Sequence, residues 1–165
     1  MAQLSRWDVE HKLQVLGYVL PEAMQTPNRM KLPFPWVKII DNRALISGHL
    51  PLKTDGSLAH PLGKVGKDLT IEQGYEAAKQ VGLAILGSLK RELGDLNRIT
   101  QWVRILGMVN CAEGFQQHPA VINGFTDLIL AVFGPDIGFH ARSAVGFYEL
   151  PFGVPVEIEG ELYFK

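Results

Sequence analysis

Two charged side chains near the end of the chain could act together on one small molecule. Arg142 begins a segment typical of a strand, and Glu157 lies in the alternating segment from Val156 to Phe164. A guanidinium can hold a carboxylate with two parallel hydrogen bonds, and a carboxylate can take a proton from water. From the pattern alone, two plainer interpretations stay open: a strand-end arginine in a surface salt bridge, and a solvent-facing acidic row from Glu157 to Glu161.

The other reactive residue types form no recognisable motif. The five histidines contain no i, i+4 pair and no HExxH, and neither GxSxG nor GxGxxG occurs in a suitable setting. Cys111 has no histidine partner close by in sequence and is interpreted as a structural thiol. Residues 63–67, GKVGK, fail the spacing of a phosphate loop and are interpreted as part of a surface loop. We therefore expect no metal and no cofactor, although a metal site assembled from distant residues stays open.

The bulk composition limits the class of protein. A chain of 165 residues with 47% apolar residues predicts one domain, residues 1–165, with a full core. A net charge of −1 without a long Lys/Arg run argues against a nucleic-acid partner. One cysteine excludes an internal disulfide, charges near the N-terminus argue against a signal peptide, and the longest apolar stretch, Leu128 to Phe133, is too short for a membrane span. We expect a soluble, cytoplasmic protein.

The first part of the chain predicts an extension that packs on the body. Residues 5–16 suggest a short amphipathic helix with a Ser5-x-x-Asp8 cap signal. The proline-rich stretch that follows predicts an extended connector, so residues 1–33 form the extension. Two apolar strands at 36–40 and 44–50 then flank the turn formers Asp41-Asn42.

The remainder predicts two long helices and further strands. A Thr70-x-x-Gln73 capping box starts a helix that ends at Gly94, and its small residues Ala78 and Gly82 would let it lie close to a sheet. A strand at 99–109 and a helix from Pro119 to a stop at Gly134-Pro135 precede the closing strands. The order β-β-α-β-α-β-β indicates an α+β fold: one mixed sheet, both long helices on one face, and a second copy of the chain covering the other.

Several short motifs in this order resemble those of the YjgF/RidA family, also called the endoribonuclease L-PSP family. They are Ala141 to Val145, Leu150-Pro151, Val156 to Glu159 and, upstream, Ser47-Gly48-x-Leu50-Pro51, with an asparagine at Asn123. The resemblance covers residues 34–164. It implies a chorismate-mutase-like α+β fold and a homotrimer with a site in each cleft between subunits.

The resemblance also implies an activity: cofactor-independent hydrolysis of a reactive imine or enamine to a keto acid and ammonia. Arg142 would clamp the carboxylate of the metabolite and Glu157 would direct the water. The implied substrate-binding residues are Ser47, Trp36, His49, Ala144 and Asn123. Ala144 stands where deaminating members often have cysteine, His49 replaces a usual glutamine, and Trp36 lies near a usual tyrosine. Because of these differences, a second hypothesis stays open: a non-catalytic trimeric protein that binds a metabolite or has a regulatory role. RNA cleavage is the third hypothesis.

Overall fold

A computed structural model describes residues 8–165, apart from the Arg29 side chain. The fold is built on one five-stranded mixed sheet with the strand order β1-β2-β5-β3-β4. β4 runs parallel to β3, and the other neighbours are antiparallel. The strands and helices, in chain order, are α1 (Val9–Val15), β1 (Val37–Ile40), β2 (Arg43–His49), α2 (Ile71–Leu93), β3 (Ile99–Asn110), α3 (His118–Gly138), β4 (Ala141–Phe147) and β5 (Val156–Phe164). The predicted α+β fold with one mixed sheet is confirmed.

The two long helices cover the face of the sheet on which the central strands carry their buried apolar side chains. In β5, Val156, Ile158 and Leu162 are fully buried, whereas Glu157 and Glu159 on the alternate positions are half-buried. Side chains alternate between the faces of a strand, so the glutamates lie on the open face. The predicted alternation of β5 is therefore confirmed.

Of the two small residues of α2 that were predicted to face the sheet, Gly82 faces α3 instead. A Cβ on Gly82 would lie 2.8 Å from Leu128 of α3, so this glycine admits the other helix and not the sheet. On the facing side, a Cβ on Gly124 would overlap the carbonyl oxygen of Tyr75. The two helices thus approach each other at small residues, as ridges pack into grooves.

α3 is longer and more apolar than the sequence interpretation allowed. By length and composition alone it could cross a membrane. Phe125 and Ile129 are fully buried in the main core, however, and the Phe125 ring lies 5.6 Å from the Trp102 ring of β3. This packing is that of a core helix.

Two predicted helix ends differ from the structure. α1 is capped by Asp8, whose side chain accepts from the backbone N–H groups of Glu10 and His11. Ser5, the predicted cap, lies outside the described residues. The predicted stop at Gly134-Pro135 is a kink: Gly134 is non-helical, with φ 73°, and the helix resumes as far as Gly138.

The stretch from residue 18 to residue 36, which we call the strap, connects α1 to β1. Its regular structure is a single 3-10 turn at Pro27–Arg29, as expected for a proline-rich connector. The loop that follows β2 is less exposed than predicted. Val65 is fully buried and Leu69 is 4% exposed, so this loop contributes to the core as well as to the surface.

Candidate active site

Strand register places Arg142 and Glu157 on opposite faces of the sheet. Arg142 of β4 pairs with Ile105 of β3, and Glu157 of β5 pairs with Met108 of β3. The two β3 partners are three positions apart, and the ladder between them is regular, so their side chains point to opposite sides. Ile105 faces the helices. Arg142 therefore lies on the helix face, and Glu157 lies on the open face.

The Arg142 guanidinium is held by the first turns of α3. Nη1 donates to Oγ1 of Thr126 (3.0 Å), and Nη2 donates to Oδ1 of Asn123 (2.7 Å) and to the Pro119 carbonyl (3.3 Å). Burial lowers the pKa of the guanidinium and nearby Asp127 opposes that shift. Nε and one N–H of Nη1 have no partner among residues 8–165, so this half-buried cation keeps donors for a ligand. Asn123, predicted to bind substrate, contacts Arg142.

Thr126 and His140 extend this arrangement, and the sequence interpretation missed both as supports of Arg142. Thr126 Oγ1 lies 3.1 Å from His140 Nε2, and His140 Nδ1 lies 2.7 Å from the Gly138 carbonyl. The carbonyl requires a proton on Nδ1, so Nε2 accepts from the threonine while the threonine oxygen accepts from Arg142. Burial lowers the pKa of His140, which favours this neutral form. The chain of donors fixes the direction of the guanidinium.

Ala144 lies on the same side of β4 as Arg142. It pairs with Gly107 and is half-buried against the main core. β4 is an edge strand with β3 as its one neighbour, so part of its backbone is unpaired within the chain. A main-chain contact from Ala144 to a ligand stays a prediction.

Glu157 lies over a glycine on the open face. A Cβ on Gly48 of β2 would overlap the Glu157 Oε1 atom, so the carboxylate needs a residue without a side chain here. The register of β2 against β5 shifts between Ile46 and His49, which matches the predicted bulge or close approach at this glycine. Burial raises the pKa of Glu157, and the like charge of Glu159 raises it further. Within the described chain the carboxylate accepts no hydrogen bond.

Trp36 shares a pocket with Glu157 and Gly48, whereas Ser47 and His49 support it from behind. The Ser47 hydroxyl donates to the Pro35 carbonyl (2.8 Å), and the His49 ring lies 5.0 Å from the Trp36 ring. His49 was predicted to bind substrate, but it is 3% exposed and turned toward the helices. Its nitrogens lie 2.6 Å from the Ser47 carbonyl and 2.9 Å from Ser88 Oγ, and burial lowers its pKa to about 4.

Cys111 has a histidine contact that the sequence interpretation did not identify. Its Sγ lies 3.4 Å from His118 Nε2, because the turn after β3 brings the start of α3 back to the strand end. Lys64, in the loop that superficially resembled a phosphate loop, donates to Asn110 Oδ1 (2.9 Å) and to the Tyr148 carbonyl. Across residues 8–165 no three His, Cys, Asp or Glu side chains are grouped as a metal site would require.

One protein family and one curated protein match the sequence of this chain. The family described as "YjgF/chorismate_mutase-like, putative endoribonuclease" matches residues 10–153. Protein TCP17 of Trypanosoma cruzi is 40% identical over 114 residues, which are 69% of this chain and 70% of that protein.

Two solved structures are similar over nearly their whole length. Protein Atu1372 of Agrobacterium tumefaciens, described as of unknown function, is 33% identical with a TM-score of 0.84, covering 96% of this chain and 94% of that one. A "putative endoribonuclease" from Shewanella oneidensis MR-1 is 27% identical with a TM-score of 0.86, covering 94% and 99%.

Proposed function

Because the chain belongs to the YjgF/chorismate-mutase-like family, we propose that it hydrolyses a small reactive imino acid to a 2-oxo acid and ammonia. One observation carries the proposal. Arg142 and Glu157 are each half-buried, and they lie on opposite faces of one sheet. They can meet around one small molecule when Arg142 of one subunit faces Glu157 of the next.

The proposed interface joins two different patches of the chain, the surface around Arg142 and the pocket that contains Glu157. A heterologous contact of this kind closes into a ring when the rotation allows. The family resemblance suggests three subunits, so we propose a homotrimer with one cleft at each junction. The open sheet face, with half-buried Leu106 and 39% exposed Val145, would be covered in such a ring.

Hydrolysis of an imine requires that the substrate is held in position and that one side chain carries protons. Arg142 would hold the substrate carboxylate, which fixes the imine carbon in place. Glu157 would take a proton from water as the water oxygen bonds to that carbon, and would return the proton to the nitrogen. The hydroxyl proton of this tetrahedral intermediate then passes through Glu157 to the nitrogen as the C=O bond forms and the C–N bond breaks, which releases ammonia and leaves Glu157 ionised. A raised pKa makes Glu157 a stronger base than an exposed carboxylate and suits both steps.

The experiment that tests this proposal uses two inactive variants. Imines generated by an amino-acid oxidase are added to Arg142→Ala, to Glu157→Gln and to a co-assembled mixture, and loss of imine is followed against buffer. Each variant alone should be inactive. In a mixed ring, the intact Arg142 of one variant meets the intact Glu157 of the other at about a quarter of the junctions, so activity should return.

Three results would contradict the proposal. No acceleration over buffer by the native protein, across several imino acids, would exclude the activity. An unchanged rate in Arg142→Ala would place the site elsewhere. Inactive single variants that regain no activity after co-assembly would contradict the shared cleft.

A second candidate is a trimeric protein that binds the metabolite without turning it over. Ala144 favours it, since deaminating relatives often carry a cysteine here while the Arg142 clamp is kept. In that case a 2-oxo acid should raise the melting temperature, and imines should not be consumed. RNA cleavage, which the family description suggests, ranks third because the open sheet face carries the acidic row Glu157 to Glu161 and the net charge is −1.

A further inference from the structure

The pocket beside Glu157 has apolar walls that come largely from the strap. It is small, about 120 Å³, and its walls include Met24, Met30, Leu32, Phe34 and, from the β4–β5 connection, Phe152. Three of these side chains are large, apolar and exposed in the single chain: Met30 by 55%, Phe34 by 47% and Phe152 by 45%. Clustered exposed apolar side chains around a concave site mark a surface that binds something apolar.

The strap is held to the rest of the chain at Gln25 and at Pro35, so the pocket is formed before a ligand arrives. The Gln25 backbone N–H donates to the Gly56 carbonyl (2.9 Å), and its side chain donates to the Asp55 carbonyl (2.8 Å). At the other end the Ser47 hydroxyl holds Pro35 (2.8 Å). A preformed wall lowers the ordering cost of binding.

Phe152 gives an independent indication of function. Its φ is 58°, in the left-handed region that bulky residues rarely adopt. Such strained residues cluster at ligand sites, where the surrounding structure holds them. The strained turn presents this ring at the pocket beside Glu157.

The charge of the residues that line the pocket indicates which part of a substrate can bind there. Of its described lining residues, Glu157 alone is charged, and no basic side chain is among them. A substrate carboxylate would be repelled here and suits Arg142 instead. The remaining part of a 2-imino acid, its side chain, is the part that an apolar pocket would accept.

We propose that the strap pocket binds the apolar side chain of the imino acid, so that the preferred substrate derives from an amino acid of the leucine type and not from alanine. This inference rests on the proposed function and names its substrate class. A volume of about 120 Å³ is several times the roughly 10–15 Å³ that a single water requires, so the pocket has room for a branched aliphatic side chain larger than a methyl group. Each buried methylene contributes about fourfold in affinity, so three additional carbons should give roughly 60-fold.

Stable 2-oxo acids, the products of the reaction, test the pocket without turnover. Binding of 4-methyl-2-oxopentanoate and of pyruvate to the native protein is measured by calorimetry, and kcat/KM is measured for the imines of leucine and alanine. The larger oxo acid should bind roughly 60-fold more tightly. Phe34→Ala should reduce this ratio severalfold. Phe139→Ala, which removes a phenylalanine that is 63% exposed and outside the pocket, should preserve it.

The outcomes separate the two proposals. Equal binding of the two oxo acids, or a ratio that Phe34→Ala leaves unchanged, overturns the proposal for the strap pocket. The same result is expected if a side chain of another subunit fills the pocket. Hydrolysis of imines of every size would then leave the proposed function standing. A large ratio that depends on Phe34, with no turnover of any imine, supports the pocket and overturns the deaminase. If neither oxo acid binds, the inference is wrong.

Discussion

Replacing Gly48 with alanine should disable the Glu157 carboxylate without unfolding the chain. The backbone at Gly48 is outside the left-handed region, so alanine can adopt it. The new Cβ would overlap Glu157 Oε1 and lie 3.0 Å from its Cδ. These atoms are at the end of a flexible side chain, and we therefore expect the carboxylate to move while the strands stay in place.

The size of the effect follows from the overlap. Non-bonded carbon and oxygen atoms need more than about 3 Å, so the Glu157 oxygen has to move by about 1 Å or more. A displacement of about 1 Å at a reacting group can cost about 100-fold in rate. We expect Gly48→Ala to lower kcat/KM for a leucine-derived imine by about that factor, or about 2.7 kcal/mol of transition-state stabilisation.

The assay compares Gly48→Ala, Glu157→Gln and the double variant, with melting temperature as the check on folding. If the alanine acts through the carboxylate, the double variant should be little worse than Glu157→Gln alone. Glu159→Gln, a neutralised neighbour on the same face, is the control and should stay active. Losses that multiply in the double variant, or full activity in Gly48→Ala beside an impaired Glu157→Gln, would refute this reasoning.

Three further predictions concern pH and packing. The ionised form of Glu157 activates water, so kcat/KM should rise with pH through a midpoint above 4.5, the ordinary pKa of a glutamate. Glu159→Gln removes the neighbouring negative charge and should move that midpoint to lower pH. A midpoint that does not move in pH–rate profiles contradicts the assigned cause. The pKa of His49 is about 4 in the folded protein and 6.5 in the unfolded chain. Between these pH values the unfolded chain binds more protons, so about 3 kcal/mol of the free energy of unfolding should be lost as the pH falls from 6.5 to 4. Urea unfolding of His49→Gln at pH 7 and pH 4.5 should show a smaller loss than the native protein. Gly124→Ala drives a Cβ into the backbone of α2 and should cost about 3 kcal/mol or more, whereas Gly94→Ala at a helix end should cost about 1, both measured by thermal unfolding.

Local signals in the sequence predicted the elements well. The Thr70–Gln73 capping box is present with both of its reciprocal hydrogen bonds, and the alternation from Val156 to Phe164 matches the buried face of β5. Both signals depend on residues that are close in sequence. Caps and side-chain periods are decided within one or two turns, or along one strand, and so they can be inferred without a structure.

The arrangement of the candidate site depends on long-range register, which the sequence does not encode locally. Periodicity indicates which residues of one strand share a face, but the side on which Arg142 lies relative to Glu157 depends on how β4 and β5 each pair with β3. The contact between Cys111 and His118 depends on a reversal of the chain after β3. The family resemblance implied that His49 binds substrate, but the register shift next to it, which depends on pairing with β5, accompanies an inward orientation that the sequence does not indicate.

The position of the two half-sites on opposite faces of one sheet has a consequence for assemblies of unlike chains. In the proposed ring, the carboxylate clamp and the strap pocket of one cleft come from different polypeptides. Two diverged copies of such a gene, expressed together, would build composite clefts that combine the anchor of one with the side-chain preference of the other. Substrate range could then broaden through mixed assembly, before either chain changes a residue.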